Sequence, residues 1–417
     1  MSMPGSIARG AATLSGTEFD TAVAARSREL GDETGRIVPI RTPDALHALV
    51  EAFAVREAGG IPVVADDRWE EQQWHDLQRA CHDLVAPAGL AWATLTSGST
   101  RRPRLILRSD ASWSSSYATI ADLLGLTPAS VIYLPVQLVS SMSMFSIAMA
   151  RDLGHAIRLP RLRQPTSDDL ADATHVHATP LLFERILDLI DDGAPHSLRA
   201  ALIGGAALAP SLRRRASELG IRVVTYYGAA ELSFVAADGD GDGLRVLPDV
   251  QSRVDVDGRL WVRSAYRAAG YAAGESGPFA IDEEGWASVG DLVAMDADGR
   301  LTLRGRSDGA ILTAAATVVP EEVEAVLRAV PGIREAVVFG SAVHGDDALV
   351  TAVLEFAPGA EVTAPQLREQ LRSALMLPHR PRLWYSMERI PLTATGKPAR
   401  GRVRDAVLKG EVPRLGQ

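Results

Sequence analysis

Between residues 130 and 227 the chain repeats one texture, a short apolar run followed by a helical stretch. The runs Ser130 to Leu134, His155 to Leu159, His175 to Ala178, Ala200 to Ile203 and Val223 to Tyr227 read as strands. Stretches such as Leu181 to Ile190 and Pro210 to Glu218 read as the helices between them. Alternation of this kind predicts an α/β parallel sheet, because parallel neighbours need a crossover and a helix is the usual one. Upstream, Ile37 to Ile40 and Ile61 to Ala65 are predicted strands. They flank an amphipathic helix over Pro43 to Ala58, with Leu46, Leu49 and Val50 on one face. Residues 91 to 96 and 104 to 108 read as strands around a polar loop, and residues 1 to 35 are predicted to fray in part.

The texture changes after about residue 244. Asp255 to Gly258, Asp282 to Gly285 and Asp296 to Gly299 each end in Asp-x-x-Gly or Asp-Gly between apolar residues, a hairpin signature. A small antiparallel unit over 244–306 is expected. Beyond Arg306 to Gly309 the pattern runs strand, helix (Pro320 to Ala329), strand, strand, helix (Ala364 to Leu375), which predicts a separate α+β unit over 309–417. A length of 417 residues suits more than one core.

Composition narrows the function classes. A net charge of −9 disfavours a generic nucleic-acid or anionic-membrane binder. The single cysteine, Cys81, excludes an internal disulfide and points to a reducing cytoplasm, where Cys81 serves as core filler. The N-terminus lacks a signal-peptide pattern, and no apolar run approaches the roughly 20 residues that span a bilayer. Lysine is scarce: of 43 basic residues only Lys397 and Lys409 are lysines. Lys397 sits in P-L-T-A-T-G-K-P-A-R, residues 391–400. A compact ammonium on a mobile stem reaches a reacting oxygen in a way that a planar guanidinium does not.

Four further segments carry candidate chemistry. Thr96-Ser97-Gly98-Ser99-Thr100, with Arg104 beyond it, offers hydroxyls, backbone N–H groups and cations that can wrap phosphates, although it is not a Walker loop. Gly204-Gly205-Ala206 ends a buried strand and lets a flat ring approach bare backbone. In Tyr226-Tyr227-Gly228-Ala229-Ala230-Glu231 an aromatic can stack on a purine, and Glu231 can hold Mg²⁺ beside phosphate oxygens. Asp291 in Gly-Asp-Leu, with Arg306 fifteen positions on, makes a candidate ribose clamp. Each segment alone is also a common turn; their order is what distinguishes the chain.

That ordered set resembles the adenylate-forming superfamily of acyl-CoA synthetases, adenylation domains and luciferases, in particular compact members such as o-succinylbenzoate–CoA ligase. The resemblance covers roughly residues 40 to 405 and includes Pro320-Glu-Glu-Val-Glu324. It implies a large N-terminal domain over 1–306 and a C-terminal lid over 309–417, hinged near Asp308. It also implies ATP-dependent activation of a carboxylic acid as an acyl-adenylate, then thioester formation with coenzyme A. Lys397 would stabilise the first transition state. Residues 96–100 and Arg104 would hold phosphates, Glu231 would bind Mg²⁺, and Asp291 and Arg306 would hold the ribose. Ser140, Ser141 and Met142 would line an acyl pocket suited to an aryl or medium aliphatic acid.

The chain departs from the family pattern at Arg101 and Arg104 in the phosphate loop, at Ala230 where the family has threonine, and at Leu312 and Ala315 where it has lysine and glycine. The last two bear on the thiol step. They keep two alternatives in view: transfer to a carrier-protein phosphopantetheine, and a degenerate nucleotide-binding member without turnover. Asp238 to Gly243 imitates the start of an EF-hand loop but reads as a surface turn, and His175 and His177 read as structural rather than metal-ligating.

Overall fold

In the computed structural model, residues 5–82, 84–95, 104–272, 277–306, 309, 311–313, 316–344, 347–360, 362–375, 379–393 and 396–415 are described. An eleven-stranded sheet forms the body. Its centre is parallel: Ile7–Arg9, Ala156–Leu159, Val131–Tyr133, His175–Ala178, Ala200–Ile203 and Arg222–Ala229 lie side by side in that order. The five runs between residues 130 and 227 are therefore the parallel core, as the alternation predicted. A second parallel pair joins Ile37–Ile40 to Ile61–Val64 across the helix Ala45–Glu57, whose cap is Asp44.

The β-rich stretch after residue 244 is divided between two sheets. Leu244–Val246, Arg300–Arg306 and Asp291–Met295 extend the large sheet in antiparallel fashion beyond Ser233–Asp238. Gln251–Val254, Leu260–Arg263, Ala287–Ser288 and Ala280–Ile281 form a sheet of their own. The three Asp-Gly signals are all turns: Gly258, Gly285 and Gly299 each donate their N–H to the aspartate carbonyl three residues back, at 3.0 Å. The imitation EF-hand at Asp238 is another hairpin turn, with the Asp238 carboxylate accepting from Asp240 and Gly241 N–H.

The N-terminal segment departs from the expectation of fraying. Ile7–Arg9 is a sheet strand and Gly16–Leu30 is a helix. Ser15 and Glu18 form a reciprocal capping box, and Phe19 and Val23, one turn apart, are buried. From Phe19 a file of rings crosses the core through Phe53, Trp92, Trp113, Phe145 and Phe234 to Tyr226, with successive centroids 4.6 to 5.9 Å apart.

The C-terminal unit pairs Ile333–His344, Asp347–Phe356 and Leu383–Ser386 with the helices Pro320–Arg328, Ala364–Ala374 and Arg400–Leu408. It has cores of its own, one around Val323, Leu327, Leu354 and Leu371, the other around Val337, Val353 and Val403. Buried Glu324 ties it together, accepting from Val338 N–H and, through both carboxylate oxygens, from Arg400 Nη2, while Arg400 Nη1 donates to Glu321. Among the described residues no helix is long and apolar enough to cross a membrane.

Candidate active site

The ends of the parallel strands at Ile203 and Ala229 carry the two glycine motifs. Gly205 and Ala206 are exposed beyond the first strand. A Cβ built on Gly205 would lie 3.6 Å from Lys397 Cε, 3.7 Å from Thr179 Cγ2 and 4.0 Å from Met142 Cε. The lysine of the small unit therefore meets the Gly-Gly backbone of the large one. Its turn is fixed locally: Thr393 N–H donates to the Lys397 carbonyl at 2.7 Å, and Lys397 N–H donates to Thr393 Oγ1 at 3.1 Å. Arg400 then anchors that turn to Glu321 and Glu324 of the helix Pro320–Arg328.

Gly204 behaves differently from its neighbour. The flat ring that lies against its backbone is the protein's own Tyr226; a Cβ there would overlap the ring and sit 2.5 Å from Oη. Tyr226 Oη is bonded to His177 Nε2 at 2.9 Å, and His177 Nδ1 to Ser146 Oγ at 2.6 Å. Both ring nitrogens of His177 are thus engaged. Burial pushes its pKa down to about 3, so the imidazole is neutral. Ser146 lies on the helix Ser141–Leu153, whose first turn carries Met142. Ser140 caps that helix, its Oγ accepting from Met142 N–H.

Tyr227 Oη donates to Asp291 Oδ2 at 2.6 Å, and Asp291 pairs across the hairpin with Arg306. Gly228 is required by space, because a Cβ would overlap the Ser233 carbonyl oxygen, and Ser233 itself has φ +58°. Glu231 is nearly buried and accepts from Tyr271 Oη at 2.7 Å. Arg104 lies over the Tyr271 ring, 5.9 Å from its centroid. The phosphate-loop residues Thr96, Ser97, Gly98, Ser99 and Thr100, together with Arg101, Asp308 and Ala315, fall outside the described residues, as do the side chains of Arg306 and Leu312.

Sequence reasoning missed several of these groups. Arg108 is fully buried in the strand after the phosphate loop. It donates to the Ala230 carbonyl at 2.8 and 3.2 Å and to the Tyr266 carbonyl at 2.9 Å. Burial lowers its pKa to about 9, with Glu231 opposing the shift. An arginine inside an apolar strand was the available signal. Tyr271 and Thr179 gave none, since nothing local to either indicates its neighbours.

Among the described residues no three His, Cys, Asp or Glu side chains are grouped to hold a metal. Glu231 alone fits an ion that takes most of its ligands from phosphate and water, as Mg²⁺ does.

An open parallel sheet with glycine motifs at its strand ends, faced by a lysine turn from a small α+β unit, defines an adenylate-forming architecture. The chain belongs to the AMP-binding enzyme family, matching it over residues 75–272 and matching the AMP-binding enzyme C-terminal domain over 322–397. It is 31% identical to 2-succinylbenzoate–CoA ligase of Salmonella typhimurium over 72% of this chain and 65% of that enzyme. It is 27% identical to a salicylyl-CoA synthase / salicylate adenylyltransferase of a Streptomyces species, over 79% of this chain and 65% of that enzyme. The match thus spans slightly less than two thirds of each of these relatives. Among solved structures, o-succinylbenzoate CoA synthetase of Bacillus subtilis with its acyl-adenylate intermediate superposes with a TM-score of 0.82 at 18% identity, covering 96% of this chain and 95% of that one. ATP-bound MatB of Rhodopseudomonas palustris gives 0.82 at 20% identity, covering 97% and 96%.

Proposed function

We propose that this chain is an acid–thiol ligase. It activates a small carboxylic acid with ATP as an acyl-adenylate and passes the acyl group to the thiol of coenzyme A. The observation that carries this reading is the approach of Lys397 to the Gly205 backbone. In the first half-reaction a carboxylate oxygen bonds to the α-phosphorus, the bond to the bridging oxygen breaks, and pyrophosphate leaves with the electron pair. Negative charge gathers around the α-phosphorus as this happens. An ammonium held at that point by a closed lid, in a site with little water, stabilises the charge where it develops. Tyr227 would face the adenine, and Asp291 and Arg306 the ribose. The loop Thr96 to Thr100 and Arg104 would hold the outer phosphates. Glu231, oriented by Tyr271, would hold Mg²⁺, which when bound offsets phosphate charge.

An aryl acid is supported by the relatives named for succinylbenzoate, salicylate and p-hydroxybenzoate. A cytoplasmic setting suits ATP and coenzyme A as substrates. The replacement of the family lysine and glycine by Leu312 and Ala315 favours a second reading of the thiol step, transfer to a carrier-protein phosphopantetheine. Pyrophosphate release with a panel of benzoates and straight-chain acids tests the adenylation. Coenzyme A or a phosphopantetheinylated carrier then separates the acceptors. Lys397→Ala is expected to lower pyrophosphate release by about 100-fold or more while ATP binding persists; an unchanged rate overturns the role.

A further inference from the structure

Thr179 is the N-cap of the twelve-residue helix Pro180–Asp191, yet its side chain makes no capping hydrogen bond. A threonine at this position ordinarily turns its oxygen onto an N–H of the first turn. Here the residue is only 4% exposed, and Oγ1 has no hydrogen-bond partner among the described residues. A buried hydroxyl in that state is costly, and such groups persist where a ligand satisfies them. The hydroxyl is aimed at the lysine turn: a Cβ built on Gly396 would be 3.5 Å from Thr179 Oγ1. The methyl of the same side chain and Lys397 Cε both pack about the one point beside Gly205. A lysine side chain, an unpaired hydroxyl and a helix N-terminus therefore gather around the end of one strand, the three groups all favouring an anion.

The geometry points to Thr179 as a substrate-binding residue whose hydroxyl donates to the carboxylate of the acid, and to the same oxygen once that carboxylate is joined to the α-phosphate. Ala230 stands in the Tyr-Gly motif where the resembling family has threonine, so this chain has no hydroxyl there. Thr179 supplies one instead from the end of His175–Ala178, two strands away in the sheet. The assignment rests on the adenylation reading above and adds to it the residue that holds the acid.

Three variants test it, with pyrophosphate release measured on the best acid of the benzoate and straight-chain panel. Thr179→Val keeps the shape and removes the hydroxyl. Its kcat/KM for the acid is expected to fall about 10- to 100-fold, the worth of one hydrogen bond to a charged group. The KM for ATP should stay near the wild-type value. Thr179→Ser should recover most of the loss, and adding Ala230→Thr to Thr179→Val should recover part of it. Because the hydroxyl is unpaired in the free protein, Thr179→Val should leave Tm unchanged or raise it. A purely structural threonine would show the opposite pattern, a lower Tm with acid kinetics intact. Wild-type kcat/KM in Thr179→Val, or a Tm drop that accounts for its lost activity, overturns the assignment. Wild-type silence with every acid instead overturns the adenylation reading, and the assignment with it.

Discussion

Gly204→Ala is the sharpest test of how the floor of the site is built. The added methyl would overlap Tyr226 Cζ and Cε1 and sit 2.5 Å from Oη, where ordinary contact needs about 3.4 Å, so the ring must move by more than about 1 Å. It has little room to do so. Phe234 lies 4.6 Å away on centroids, and the hydroxyl is held 2.9 Å from His177 Nε2. Overpacking of this kind costs about 1 to 3 kcal/mol. If the slide breaks the bond to His177, a buried ring nitrogen loses its partner for another 1 to 3 kcal/mol, approximately. The sum, roughly 2 to 6 kcal/mol, is a large share of the stability of an ordinary domain. Urea unfolding of wild type, Gly204→Ala, Tyr226→Ala and the double variant gives the cycle. The cost of Gly204→Ala should shrink to under about 1 kcal/mol once Tyr226 is truncated, since methyl and ring then no longer compete. A cost that stays the same in the Tyr226→Ala background, or a cost near zero in wild type, refutes the reasoning.

Two other outcomes are expected. Tyr271→Phe removes the 2.7 Å hydrogen bond that orients Glu231, so the Mg²⁺ concentration giving half-maximal pyrophosphate release should rise about tenfold; an unchanged titration would dismiss Tyr271 as an orienting group. His177 has a folded pKa near 3 against an ordinary 6.5, so the unfolded chain binds the extra proton across that window. Stability should therefore be lost as pH falls from about 6.5 toward 3, with His175, pushed down to about 4, adding in the same sense. His177→Asn should flatten that slope in urea midpoints measured against pH, and a full slope in the variant would count against the mechanism.

Much of the architecture was legible because it is written locally. Short apolar runs between helices gave the parallel core, and Asp-Gly pairs gave the hairpins, since each is decided by residues within one turn. Asp291 and Arg306 read only as fifteen positions apart; their cross-strand pairing depends on a hairpin register that shifts at Leu292 and Val293. The bonds from Ser146 to His177 and on to Tyr226 link three elements far apart in sequence, so no spacing rule finds them. The N-terminal helix stands where fraying is expected, because its average polarity hides two buried positions, Phe19 and Val23. Thr179 was invisible for a related reason: its meaning lies in a cap it declines to make and in a lysine more than two hundred residues later.

The file of rings from Phe19 to Tyr226 makes the back wall of the site part of the body's rigid interior. Reshaping Tyr226 would disturb Phe234, Phe145 and the tryptophans behind them, and so would trade folding for any change in the site. The first turn of the helix bearing Met142 lies beside Gly205 but outside that file of rings. Variants seeking new acids should be built there.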